Sequence, residues 1–118
     1  MATATTVSPI TTHVLDTARG KPAPGIEVKL ERLSGGNWQD LSKATTNQDG
    51  RVPELMAPGT LTEGVYRLTF DTSSYFRELG QQSFYPYVAI TFEIKEPSQH
   101  YHVPLLLSPF GYSTYRGS

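Results

Sequence analysis

The chain contains no cysteine. That single absence excludes a disulfide framework, a thiolate metal site and a cysteine nucleophile. Neither sign of charge dominates, because ten Lys and Arg face eleven Asp and Glu for a formal net charge of −1. No run of basic residues occurs, so the electrostatic footprint of a nucleic-acid or anionic-membrane binder is missing. Long apolar runs are lacking too. The longest, residues 103–107, contains Pro104 and is far too short to span a bilayer. Residues 1–12 carry neither a basic n-region nor an apolar core, so no secretory signal is legible. The last three residues are not Ser-Lys-Leu. Together these absences set the expectation of a soluble intracellular protein. There is also no Gly-rich phosphate loop, no Gly-x-Ser-x-Gly elbow and no His-Glu-x-x-His.

What is present is a single globular domain. Its 118 residues leave no room for two domains, and at 37% hydrophobic and 18% charged it is too apolar for a disordered chain. The domain is expected to span residues 1–118, with residues 1–8 outside its ordered part. Short alternating apolar runs separated by Gly, Pro, Asn and Asp clusters predict strands over residues 12–16, 26–33, 38–46, 65–70, 86–94, 100–107 and 111–116. Residues 26–33 place charged side chains on one face and apolar ones on the other, as in a half-buried strand. Ser34-Gly35-Gly36-Asn37 reads as a hairpin turn, and Asn47-Gln48-Asp49-Gly50-Arg51 as a second turn. Residues 71–74 offer N-cap oxygens, and residues 75–79 followed by Gly80 read as one short helix. Seven or eight strands with turns every 8–12 residues predict an all-β, two-sheet β-sandwich, the helix inserted between strands.

Few polar handles remain for chemistry. The three histidines are His13, His100 and His102. His100 and His102 stand two apart, so on a strand they project to one face. With His13 they form a candidate three-nitrogen metal site; local sequence equally allows structural or merely exposed imidazoles. Arg51 leaves a turn that Asp49-Gly50 explains without any function. Late aromatics (Phe84, Tyr85, Tyr87, Tyr101, Phe110, Tyr112, Tyr115) fit core packing or an oligomer interface. The chain closes on Tyr115-Arg116-Gly117-Ser118. An arginine beside an ionised terminal carboxylate reads as part of a site rather than as a frayed tail.

Five segments together carry a resemblance: Thr11-Thr12-His13-Val14-Leu15-Asp16, Thr46-Asn47-Gln48-Asp49-Gly50-Arg51, Phe84-Tyr85-Pro86-Tyr87-Val88, His102-Val103-Pro104-Leu105-Leu106-Leu107-Ser108-Pro109 and Tyr112-Ser113-Thr114-Tyr115-Arg116-Gly117-Ser118. From about residue 9 onward the chain resembles the transthyretin-like family, on the branch that hydrolyses 5-hydroxyisourate in urate degradation. Hormone-carrying transthyretins share Val14-Leu15-Asp16 and Arg19-Gly20 but lack the counterparts of His13, His102 and the final tetrapeptide. The resemblance implies a transthyretin-like β-sandwich and His13, Arg51, His102 and Ser118 as catalytic residues. It implies that His13, Arg51, Tyr115, Arg116 and Gly117 contact substrate. It also implies a homotetramer, a dimer of dimers whose channel holds the sites, with no metal, no cofactor and no nucleic-acid or membrane partner. Vertebrate relatives are expected in peroxisomes and bacterial ones in the cytoplasm or periplasm. His100 lies outside the family's motif.

The chemistry suits these residue types. Opening a cyclic amide with water needs a base near neutral pH, and imidazole titrates near 6.5. A guanidinium fork clamps carbonyl or enolate oxygens. Two other readings remain open on the sequence: a non-catalytic carrier of an aromatic ligand, and a metal-dependent hydrolase using all three histidines.

Overall fold

A computed structural model gives the fold, and residues 7–117 are described. Ser118, expected in the site, lies outside the described residues, as do residues 1–6. Ser8 was expected ahead of the ordered domain, yet it is buried. Its hydroxyl donates to the Ile10 carbonyl and accepts the Met56 N–H.

Among the described residues, ten strand segments form two sheets, with one helix between strands. They are β1 (Ile10–Asp16), β2 (Lys21–Pro22), β3 (Glu27–Ser34), β4 (Asn37–Thr45), β5 (Arg51–Val52), β6 (Gly64–Phe70), α1 (Thr72–Glu78), β7 (Val88–Ile94), β8 (Tyr101–His102), β9 (Leu105–Ser108) and β10 (Gly111–Thr114). The four-stranded sheet runs β4-β3-β6-β7 and is antiparallel throughout. The other sheet is organised around β1. On one side β8 and β9 run parallel to it, and β10 pairs with β9; on the other, β5 and β2 pair with it antiparallel.

The strand expected over residues 100–107 is broken in two, and proline is the reason. Pro104 has no N–H to give the ladder. Nearby hydroxyls satisfy the carbonyls freed at the break. Thr12 Oγ1 donates to Val103 O (2.6 Å) and Thr114 Oγ1 to Pro104 O (2.7 Å). The connector over residues 20–25 is not all turn, because Lys21 and Pro22 pair with the end of β1. The helix starts three residues before residue 75. Asp71 is its N-cap, and its carboxylate accepts the Ser74 N–H.

The core lies between the sheets. Ile10, Val14, Leu105 and Leu107 from one meet Val28, Leu30, Leu68, Phe70, Ile90 and Ile94 from the other. Strict alternation along β1 buries Ile10, Thr12, Val14 and Asp16 and leaves Thr11, His13 and Leu15 partly exposed on the outer face. Asp16 is fully buried because its oxygens are taken. Tyr75 of α1 donates its hydroxyl to Oδ2 (2.7 Å), and the Ala18 and Arg19 N–H groups donate to Oδ1. Burial, with the Asp16 bond next, pushes the Tyr75 phenol upward. On β3 the alternation fails at Glu31, which is only 4% exposed. Arg67, directly opposite it on β6, donates to its Oε1 from Nε and Nη2, both at 2.9 Å, and Lys29 lies 3.7 Å from its Oε2, so its neighbours on the same face cover the carboxylate. The Arg67 bonds, with smaller help from Lys29, hold the Glu31 carboxyl below the usual range.

Candidate active site

The outer face of β1 gathers the site. His13 lies directly opposite Arg51 of β5, and Thr11 lies beside His102 of β8. Side chains opposed across adjacent strands stand about 5 Å apart at Cβ, so two imidazoles and a guanidinium share one patch of sheet.

The turn ahead of β5 delivers Arg51. Asn47 Oδ1 accepts the N–H groups of Asp49 (2.9 Å) and Arg51 (3.0 Å), and the Asn47 N–H donates to Arg51 O. Gly50 sits at φ +75°, and a Cβ there would strike the Val14 carbonyl oxygen. Only glycine lets the turn press this closely against β1 and donate nothing but backbone. Its own carbonyl accepts the Val14 N–H at 2.8 Å.

His102 is fixed from two sides. Its Nδ1 is 2.8 Å from Thr11 Oγ1, which makes Nε2 the nitrogen that can face substrate. Behind the ring, Gly117 forms an isolated bridge to His102, its N–H donating to the His102 carbonyl at 2.8 Å. A Cβ on Gly117 would stand 2.7 Å from His102 Cδ2. The final segment therefore rests against the imidazole.

Both imidazoles are biased toward the neutral form. Burial, then the positive charge of Arg51, lowers His13, while the backbone carbonyl and charge of Asp49 push the other way. His102 is lowered by burial, then Arg51, His100 and His13, against a smaller opposite pull from Thr11. Near neutral pH both can act as bases. Among the described residues no group of three His, Cys, Asp or Glu is arranged to hold a metal ion.

The structure thus brings together His13, Arg51, His102 and Gly117. Tyr115 and Arg116 stand elsewhere. They line a hollow of about 280 Å³ with Tyr101, Val103 and β7. Arg116 donates to Gln99 Oε1 (2.9 Å) and His100 O (3.3 Å), and its guanidinium lies 4.3 Å from the Tyr101 ring centroid. Tyr101 and His102 are adjacent in β8 and project to opposite faces, so this guanidinium is behind the strand that carries His102. Sequence reasoning missed Thr11. Its only signal was its place two residues before His13, on the same face.

The HIUase/Transthyretin family model matches residues 10–117. A mouse 5-hydroxyisourate hydrolase is 53% identical over 117 residues, covering 98% of this chain and 99% of the relative. The structure of Klebsiella pneumoniae 5-hydroxyisourate hydrolase superposes with a TM-score of 0.81 at 40% identity, covering 92% of this chain and 97% of that one. Sea bream transthyretin, solved in complex with thyroxine, gives a TM-score of 0.87 at 30% identity, covering 92% and 94%. The backbone fits both solved structures, and sequence identity is higher to the two hydrolases than to the transthyretin. The chain belongs to the HIUase/Transthyretin family.

Proposed function

We propose that this chain hydrolyses 5-hydroxyisourate to 2-oxo-4-hydroxy-4-carboxy-5-ureidoimidazoline, a step of urate degradation. The observation that carries the reading is the convergence of two neutral-biased imidazoles and a guanidinium on one face of β1. The 53% identity to a mouse protein named for this activity supports it. A carrier of the same fold has no use for a pair of bases.

In this mechanism an imidazole of the His13/His102 pair takes a proton from water. The water oxygen attacks the cyclic amide carbonyl, and the tetrahedral oxyanion draws on the Arg51 guanidinium. The C–N bond breaks, and the imidazolium returns its proton to the leaving ring nitrogen, leaving a carboxyl group on the other fragment. Preorganised donors of this kind lower such barriers by about 3–4 kcal/mol each. Arg116 anchors the final segment through Gln99, His100 and Tyr101 rather than touching substrate, and so holds Gly117 under His102.

The pH dependence has a definite sign. Each imidazole works as a base only when neutral, and its folded pKa lies below the usual 6.5. Turnover therefore falls on the acid side, with its limb displaced to lower pH than that of an ordinary imidazole. Arg51 is the second cause of both downward shifts, so Arg51→Gln moves the acid limb of kcat/KM to higher pH besides lowering the plateau. Disappearance of 5-hydroxyisourate absorbance, followed from pH 5 to 8, reads both effects. An acid limb that stays in place in Arg51→Gln removes Arg51 from the electrostatics of the pair.

The assembly we propose is a homotetramer that closes the open sheet face over the substrate. Within the described residues β7 and β10 are edge strands, as are β4 and β2 at the opposite ends of the two sheets, so β7 and β10 are open to pairing with a second copy. Large aromatics crowd the same region. Phe84, Tyr85 and Tyr112 form a chain of edge-to-face rings, while Phe110 is 68% exposed. Sedimentation equilibrium is expected to give four times the 13.1 kDa chain mass; a monomer at micromolar concentration would contradict it.

A further inference from the structure

One imidazole is left over from the mechanism. His100 precedes β8, is exposed, and points at the same hydroxyl as His102. Thr11 Oγ1 is 3.1 Å from His100 Nε2 and 2.8 Å from His102 Nδ1. The parallel register that sets Thr11 beside His102 produces the arrangement, and the two-residue spacing brings His100 to the same side. Arg116 steadies the segment by donating to the His100 carbonyl.

A hydroxyl has one proton to give. Lying between two ring nitrogens, Thr11 donates to one and accepts from the other. The tautomers of the two histidines are therefore linked. When His100 Nε2 is bare, it accepts the Thr11 proton, and the Thr11 oxygen accepts Nδ1–H of His102. His102 Nε2 then carries the lone pair that a base needs. When His100 Nε2 carries a proton it donates to Thr11, whose own proton turns to His102 Nδ1. The His102 proton then sits on Nε2, where it blocks the base.

We infer that His100 is a positioning residue for His102, selecting its reactive tautomer through the shared Thr11 hydroxyl. The groups that face His102 are then Arg51, His13 and His100, with Thr11 as the link to the last. His100 touches neither water nor substrate in this scheme. Its kinetic role rests on the hydrolase reading above, whereas the tautomer linkage does not.

The test combines kinetics with 15N NMR of labelled histidine at pH 7. His100→Ala and Thr11→Val each lower kcat about tenfold, the upper worth of one neutral hydrogen bond, with KM nearly unchanged. Thr11→Ser keeps kcat near the parent value. The double variant His100→Ala/Thr11→Val is no slower than Thr11→Val alone, because both act through one hydroxyl. The His102 nitrogen shifts of the parent report an Nδ1–H tautomer and change in His100→Ala. Parent kcat and unchanged His102 shifts in His100→Ala overturn the inference, as does a double variant whose losses multiply. A parent chain without hydrolysis overturns the function instead, and the nitrogen shifts then still decide the linkage.

Discussion

His102→Ala is expected to lower turnover of 5-hydroxyisourate by at least about a hundredfold, the usual worth of general acid–base catalysis, with the fold intact. The two halves of this expectation have separate grounds. His102 is partly exposed on the outer face of the sheet, and none of the core side chains packs there in its place. Removing its ring deprives Thr11 of one partner, but the hydroxyl still has His100 within 3.1 Å. No buried group is orphaned, so the cost to stability is small. The cost to chemistry is not small, because the nitrogen facing the substrate is gone. Arg51→Ala should cause a loss of similar size for a different reason, since it removes the oxyanion donor. Initial rates beside thermal melts check both. Near-normal activity in a folded His102→Ala protein would remove that imidazole from the mechanism.

Gly117→Ala should be nearly as damaging, although it adds only a methyl group. The new Cβ would stand 2.7 Å from His102 Cδ2 and 3.3 Å from Cγ, whereas carbon atoms rest at about 3.5–4.0 Å. Either the ring or the final segment gives way. The segment is held by the Gly117 N–H bond to His102 O and by Arg116 on Gln99, His100 and Tyr101. The ring has the freer path, by rotating off Thr11. A misplacement of about 1 Å in a catalytic group costs on the order of a hundredfold, so kcat should fall by about that much. Stability should change little at this edge position. Gly117→Ala with the parent kcat would show that the final segment does not set the His102 ring.

Much of this was legible in the sequence, and the part that was not has a common cause. The short run over residues 12–16 is a local signal and marked a strand there, but which face His13 takes came only with the burial pattern of the folded strand. The turn Asn47-Gln48-Asp49-Gly50-Arg51 is local too, and Asn47 and Gly50 do what their chemistry suggests. Strand pairing is not local. Thr11 and His102 are 91 positions apart, and no pattern within either segment reveals that β8 runs parallel to β1. Without that register Thr11 stood just ahead of the strand expected over residues 12–16, and His100 stood outside the family's motif. Pro104 was noticed in the sequence, yet its effect was underestimated. A strand drawn across it hid the break that lets the hydroxyls of Thr12 and Thr114 tie β1 and β10 to the turn. Arg116 shows the opposite limit. A motif names the residue without saying which way its guanidinium points, and Tyr101 behind the strand draws it away from His13 and Arg51.

The most direct measurement is the decay of 5-hydroxyisourate absorbance at pH 7 with catalytic amounts of the parent chain, beside the spontaneous reaction and the same amount of His102→Ala. The structure predicts that the parent accelerates the decay well above the spontaneous rate, while His102→Ala runs at least about a hundredfold slower than the parent. A parent chain that leaves the spontaneous rate unchanged would contradict the account at its centre.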